Sequence, residues 1–315
     1  MACSGSDAGS PAADDVGGDG DPIDTRVGSD DGLDGLDVGN DDTGVAVGDV
    51  GEGGTSSDGG PDGGDAVVVP TGGCGKAAKA GVTSESITVG TLKRTYVLSI
   101  PIGYDPTKPI PLATGWHGRT GNGAGFRSYS GVEIAAAGKA IFVYPDGLPV
   151  TATPTDTGWD LSAKGRDVAL FDALVTDISA KLCVDQKKIF AFGFSFGGYM
   201  SNALGCARTK ALRAIAPVAG GPSTSGCGGA VAAWLEHATD DPVVNITEGT
   251  KSRDFWIKQS GCDATKSSKV PPDPCIAYAS CSATAPVVWC ERPIGGHSWP
   301  SFGGTGVWNF FASLP

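Results

Sequence analysis

Histidine is scarce in this chain, methionine scarcer, and aromatic residues are absent from the first 95 positions. Only three His (His117, His237, His297) and two Met occur in 315 residues, and the first aromatic side chain is Tyr96. So few histidines leave little room for a His-rich metal site, and the nine cysteines include no C-x-x-C pair of the kind that holds zinc. No metal or organic cofactor is therefore expected. No apolar run approaches the length of a membrane span. Basic residues form no stripe and do not interleave with aromatics, which argues against nucleic-acid binding.

The missing aromatics coincide with an excess of another kind. Residues 1–65 hold 16 Asp, one Glu, one Arg and 18 Gly. Such a stretch cannot bury enough apolar surface to offset the entropy of ordering its backbone. Residues 1–72 are read as a disordered, self-repelling acidic tether, and residues 73–315 as one folded domain. Its DGLDGLD and GNDD runs lack the spacing and closing Glu of a calcium loop, so they are read as solvated linker. The acidity belongs to the tether: beyond residue 65 there are 22 Lys and Arg against 18 Asp and Glu. Met1-Ala2-Cys3 lacks the basic and apolar regions of a complete signal peptide. Cys3 ahead of a long polar tether suggests the lipidated cysteine of a bacterial lipoprotein. That lipid would be the sole membrane contact of a secreted or outer-surface protein.

The other eight cysteines are Cys74, Cys183, Cys206, Cys227, Cys262, Cys275, Cys281 and Cys290. An even number in a secreted-looking chain points to disulfides and an oxidising compartment, with the pairing left open.

Hydrophobic patterning supplies the folded part. Residues 85–101 alternate apolar and polar, as a half-buried hairpin does, and 111–118 and 140–145 read as short buried strands. A helix is expected over 126–137 and another over 167–182, where Val168, Phe171, Leu174, Val175, Ile178 and Leu182 share one face. Strand 188–192, helix 198–206, strands 212–220 and 231–237, helix 251–258, strand 285–293 and a terminal helix near 306–311 follow. Strands alternating with helices give an α/β fold, with a mostly parallel central sheet covered by helices on both faces. Catalytic groups in such sheets gather at the carboxyl ends of the strands.

At one such end stands Gly193-Phe194-Ser195-Phe196-Gly197. A strand before and a helix after make this Gly-x-Ser-x-Gly the nucleophile elbow of an α/β-hydrolase, with Ser195 as nucleophile. A serine hydroxyl needs a base to take its proton. His117 precedes Ser195, in an early WHGRTG loop, and His237 ends a strand. His297, in a glycine loop after the last strand, fits the order Ser, acid, His. The acid should come from 237–244, where Asp241, followed by Pro242, is preferred and Asp240 is the alternative. The oxyanion hole would use the N–H groups of Phe196 and of Arg119 in the HGRTG loop. Trp159 and Trp299 are candidates for an aromatic substrate wall, with plain packing as the competing role.

These segments also carry a resemblance. YDPTKP (104–109), HGRTGN (117–122), AIFVYPDGL (140–148), GWD (158–160) and GRDVALFDAL (165–174) come in order. LCVDQKKIFAFGFSFGGYMSNALGCA (182–207), D-x-V-V and GGHSWP (295–300) follow. From residue 73 onward the chain resembles carbohydrate esterase family 1, and within it secreted feruloyl esterases and poly(3-hydroxybutyrate) depolymerase-like esterases. The resemblance implies a serine carboxylesterase with Ser195, Asp241 and His297 as its triad. It implies feruloyl or acetyl esters of plant cell-wall polysaccharide as substrates. Hydroxybutyrate polyesters, or synthetic aromatic polyesters by promiscuity, are the second possibility, and a non-catalytic binding protein on the same scaffold a distant third. A monomer is expected. Where the family has His-Gly-x-x-Asp-Pro, this chain has His237-Ala238-Thr239-Asp240-Asp241. The segment with Cys275 and Cys281 looks inserted and positioned to reshape the acyl pocket.

Overall fold

The structure is a computed structural model that describes residues 72–223 and 226–315. The acidic tether, apart from Gly72, and Cys3 lie outside the described residues. In chain order the elements are β1 (Gly81–Val89), β2 (Leu92–Ile100), β3 (Ile110–Trp116), α1 (Gly123–Ser130), α2 (Val132–Ala136), β4 (Ile141–Pro145), β5 (Leu148–Pro149) and β6 (Thr157–Gly158). Then come α3 (Arg166–Lys181), β7 (Val184–Phe194), α4 (Phe196–Ala207), β8 (Ala214–Val218), β9 (Ala232–Ala238) and α5 (Ile246–Gln259). The last four are β10 (Asp263–Lys269), β11 (Cys275–Ala279), β12 (Val287–Arg292) and α6 (Gly303–Ser313).

Ten strands form one sheet in the order β1-β2-β4-β3-β7-β8-β9-β12-β11-β10. The six from β4 to β12 are mutually parallel. An antiparallel pair extends each end: β1–β2 beside β4, and β11–β10 beside β12. The middle strands are buried on both faces, and alternate residues serve opposite cores. Ile141, Val143, Ile189 and Ala191 join a cluster with Val168, Phe171 and Leu174 of α3, Met200 and Leu204 of α4, and Trp256 of α5. Phe142, Tyr144, Phe190 and Phe192 join the other, with Phe126 of α1, Val132 of α2, and Val307 and Phe311 of α6. This is the fold expected of continuous apolar strands alternating with amphipathic helices.

Two expectations change. The helix expected over 126–137 is two helices, because Gly131 takes φ 67° and ends one before the other starts. The helix expected near 251–258 begins earlier, at Ile246, where the Asn245 side chain caps the N–H of Thr247. The segment that looked inserted builds the sheet edge as β10 and β11. Disulfides Cys262–Cys281 and Cys275–Cys290 staple it there, the second across paired residues of β11 and β12. The other two disulfides are Cys74–Cys183 and Cys206–Cys227.

A buried ion pair joins the hairpin to the rest: Arg94 on β2 meets Asp167 on α3 at 2.6 Å, with both side chains inaccessible. Asp167 also accepts the N–H of Asp160, fixing the loop that carries Trp159. Among the described residues no helix is long and apolar enough to cross a membrane.

Candidate active site

Strand β7 runs into helix α4 through a single residue, Ser195, at φ 56° and ψ −118°. A non-glycine residue at positive φ is strained. Crowding around the turn enforces it: a Cβ on Gly197 would lie 1.8 Å from the Trp116 carbonyl oxygen, and one on Gly193 2.2 Å from that of Gly197. Only bare backbone lets β3, β7 and α4 converge so closely. The Ser195 N–H is held by the Val218 carbonyl at 2.9 Å, and its hydroxyl caps no helix N–H. The first N–H groups of α4 have no acceptor within the helix and carry the positive end of its dipole.

The hydroxyl instead meets His297. Ser195 Oγ lies 2.9 Å from His297 Nε2, and His297 Nδ1 lies 2.7 Å from Asp241 Oδ2. Asp241 follows the carboxyl end of β9 and His297 that of β12, adjacent parallel strands, so residues 56 positions apart are neighbours. The second Asp241 oxygen accepts the N–H groups of Val243 and Val244, each at 2.9 Å. Burial works against the charge on Asp241, but the His297 hydrogen bond and the Val244 and Val243 N–H groups outweigh it. They hold its pKa below the usual carboxylate value. A carboxylate there fixes the proton on Nδ1 and leaves the Nε2 lone pair facing the serine hydroxyl.

The other histidines have structural partners. His237 is buried, donates Nε2–H to the Val244 carbonyl at 2.7 Å, and so braces the loop after Asp241. His117, also buried, donates Nδ1–H to the Gly118 carbonyl and accepts the Gly147 N–H at Nε2. Burial lowers the pKa of both, so each is a neutral ring at neutral pH. His117 shapes the loop expected to supply the second oxyanion donor. That loop lies against the nucleophile: a Cβ on Gly118 would sit 3.4 Å from the Ser195 Cβ. Arg119 is the next residue, and its side chain turns away into a forked pair with Asp156. Phe196 opens α4, and its ring lies over Gly158.

The two tryptophans separate. Trp159 is 2% exposed, packs on Trp116 and His117, and donates Nε1–H to the His117 carbonyl at 2.8 Å. It is therefore a prop beneath the HGRTG loop and not a substrate wall. Trp299 is half-buried and packs edge-on against Phe194 and Phe126. Phe194 lies on the His297 ring, with centroids 4.8 Å apart. Trp299 and Tyr129 line a cavity of about 350 Å³ between α1, α2 and the start of α6, and no triad residue is among its lining. Sequence reasoning gave Phe194 no role although it adjoins Ser195, because the motif leaves that position free, and it overlooked Tyr129, which sits at no patterned distance from the triad residues.

Asp240, the alternative acid, faces away from the imidazole and accepts the N–H groups of Gly295 and Gly296. Arg292 donates to Glu236 and to the Ser298 carbonyl. Neither contact was legible in sequence.

No protein-family profile matches the chain. Among curated proteins it is similar to feruloyl esterase C of Emericella nidulans, with 41% identity over 181 residues, 55% of this chain and 64% of that one. The chain thus spans just under two thirds of that relative. A probable feruloyl esterase C of Aspergillus terreus is 37% identical over 209 residues, 62% of this chain and 72% of that one. Feruloyl esterase D of Neurospora crassa is 31% identical over 277 residues, 78% of this chain and 91% of that one. Among solved structures, an acetyl xylan esterase from Aspergillus awamori aligns with TM-score 0.59 and 15% identity, over 74% of this chain and 99% of that one. A feruloyl esterase module from Clostridium thermocellum complexed with sinapinate aligns with TM-score 0.55 and 13% identity, over 79% and 92% of the two chains. At these identities the structural likeness concerns the fold alone.

Proposed function

This chain belongs to the feruloyl esterase family of carboxylic ester hydrolases, and from that premise we propose that it hydrolyses feruloyl or acetyl esters of plant cell-wall polysaccharide through an acyl-enzyme on Ser195. The observation that carries this reading is the hydrogen-bonded chain from Ser195 through His297 to Asp241.

As Ser195 Oγ attacks the ester carbonyl carbon, its proton passes to His297 Nε2. Asp241, kept ionised, stabilises the imidazolium. The tetrahedral oxyanion accepts the N–H groups of Phe196 and Arg119, and one such donor is typically worth about 3 kcal/mol in the transition state. Collapse breaks the bond to the alcohol, which leaves with the proton from His297. Water then gives a proton to Nε2 and attacks the acyl carbon; collapse breaks the bond to Ser195 Oγ, which takes the proton back from His297 as the acid leaves. The four disulfides favour an oxidising, extracellular setting. The acting unit in this reading is a monomeric domain on an acidic tether.

Polyester is the second reading, favoured by the exposed Val243 and Ile294, which follow Asp241 and precede His297 and give the rim an apolar edge. One preparation assayed on methyl ferulate, acetylated xylan and hydroxybutyrate oligomers separates the two. Methyl ferulate or acetylated xylan should turn over fastest; preference for the oligomers would replace the first reading with the second. Ser195→Ala should abolish all three activities. A folded wild type inert on all of them, and on p-nitrophenyl acetate, would sink the esterase reading.

A further inference from the structure

The loop that carries His297 has little burial to hold it. Pro293, Ile294 and Gly295 are exposed, and Ile294 is 76% accessible. Gly295 and Gly296 take φ 149° and 56°, so no strand or helix ladder fixes their direction. Hydrogen bonds do that work, and most come from the short segment that also holds Asp241. Asp240 accepts the Gly296 N–H at 2.7 Å on Oδ1 and the Gly295 N–H at 3.2 Å on Oδ2. The Thr239 N–H donates to the Arg292 carbonyl at 2.8 Å, and its hydroxyl donates to that of Pro293 at 2.7 Å. Arg292 closes the other side: Nε donates to buried Glu236, and Nη2 donates to the Ser298 carbonyl at 2.8 Å. Its guanidinium lies on bare backbone, since a Cβ on Gly295 would sit 2.0 Å from Nη1.

We infer that Asp240 is a positioning residue for His297: its carboxylate, spanning the Gly295 and Gly296 N–H groups with Arg292 clamping the opposite side, sets the imidazole in register with Ser195. This rests on the reading of His297 as the general base. It also gives the paired aspartates separate tasks. Asp241 orients the ring through Nδ1, and Asp240 orients the backbone that carries the ring. A carboxylate suits the second task, because it accepts two N–H groups at once in charge-assisted bonds. Those same bonds, Gly296 first and Gly295 second, lower the Asp240 pKa and keep it ionised.

The test is steady-state hydrolysis of p-nitrophenyl acetate by Asp240→Ala and Asp240→Asn, each with and without His297→Ala. Asp240→Ala should lower kcat about tenfold and leave KM within about twofold, as misplacement of a reacting group does. Asp240→Asn keeps one acceptor oxygen for Gly296 and should lose no more than about threefold. In the His297→Ala background, Asp240→Ala should change the residual rate by less than about twofold, because its effect runs through the missing ring. If Asp240→Ala does not fold, Asp240→Ser, too short to span both amides, makes the same comparison. An unchanged kcat, a loss confined to KM, or equal losses with and without His297 would overturn the inference. Should His297→Ala itself leave the rate intact, the triad reading fails first. Should it abolish turnover while Asp240→Ala does nothing, the inference alone fails.

Discussion

Two loops bring Ser195 and His297 together, and they are held by opposite means. The elbow at Ser195 is fixed by backbone crowding: β3, β7 and α4 approach so closely that Gly193 and Gly197 have no room for a Cβ. The loop at His297 is fixed by side chains reaching in from β9 and β12, through Asp240, Thr239 and Arg292. The first arrangement has one conformation because the others clash. The second has one because several hydrogen bonds agree, each worth about 1 kcal/mol net, more where charged. A serine that must keep a strained φ suits the rigid solution. A histidine proposed to accept and return a proton suits the one whose position is tuned by polar contacts.

The largest effect should come from Gly197→Ala. The atom in the way is the Trp116 carbonyl oxygen at 1.8 Å, which cannot move without shifting β3. The expected outcome is loss of the folded domain, a cost above about 4 kcal/mol, seen as failure to express in soluble form or collapse of the thermal midpoint. A folded, active Gly197→Ala protein would end the claim that crowding holds the elbow.

Glu236→Gln probes the polar side. Glu236 is buried, so its pKa is pushed up to about 7 from an ordinary 4.5, although Arg292 pulls it down. It binds its proton more tightly folded than unfolded. Its contribution to stability is therefore complete below pH 4.5 and is lost as pH rises toward 7. The loss amounts to about 3 kcal/mol over that window. Urea unfolding from pH 4 to 8 should show this slope in the wild type and not in Glu236→Gln. Parallel curves would mean that Arg292 fully offsets the burial.

Gly295→Ala should cost less than Gly197→Ala, although its Cβ would meet an atom almost as near. That atom is Nη1 of Arg292, the end of a flexible side chain. The remaining cost is an alanine at φ 149°, about 1–3 kcal/mol. The domain should fold with a modestly lowered midpoint, while kcat falls because Arg292 must leave the clamp. If Gly295→Ala unfolded as completely as Gly197→Ala, the two loops would not differ in kind.

The same contrast explains what was legible in the sequence. Crowding and burial leave local marks. The glycines around Ser195, the apolar run of β7 and the apolar stripe of α3 each lie within a few residues, and the sheet and the elbow follow from them. Hydrogen bonds between residues 55 or 56 apart, such as Asp240 to Gly295 and Gly296, leave no period and no composition. The paired aspartates therefore read as an ambiguity. Strand β10, DATKSSK, is almost wholly exposed and has no alternation to announce it. The two roles considered for Trp159, substrate wall and packing, could not be separated, because an aromatic in a loop gives no sign of whether its N–H is already engaged.

Arg119→Ala should have the smallest effect, and it bears on a loop of mixed character, the one proposed to carry the second oxyanion donor. The loop's backbone abuts the elbow, where a Cβ on Gly197 would lie 2.8 Å from the His117 carbonyl oxygen, while Arg119 is tied to Asp156 as the histidine loop is tied to Asp240. If crowding against the elbow and the buried His117–Trp159 prop place the Arg119 N–H, the side chain is dispensable. The Arg119–Asp156 fork is exposed on its arginine side, where such pairs contribute little. Methyl ferulate kinetics should then show kcat reduced by no more than about threefold, since the proposed donor N–H is backbone and survives the substitution. A hundredfold loss would mean that the loop is held from outside, by its salt bridge, and would place it with the histidine loop.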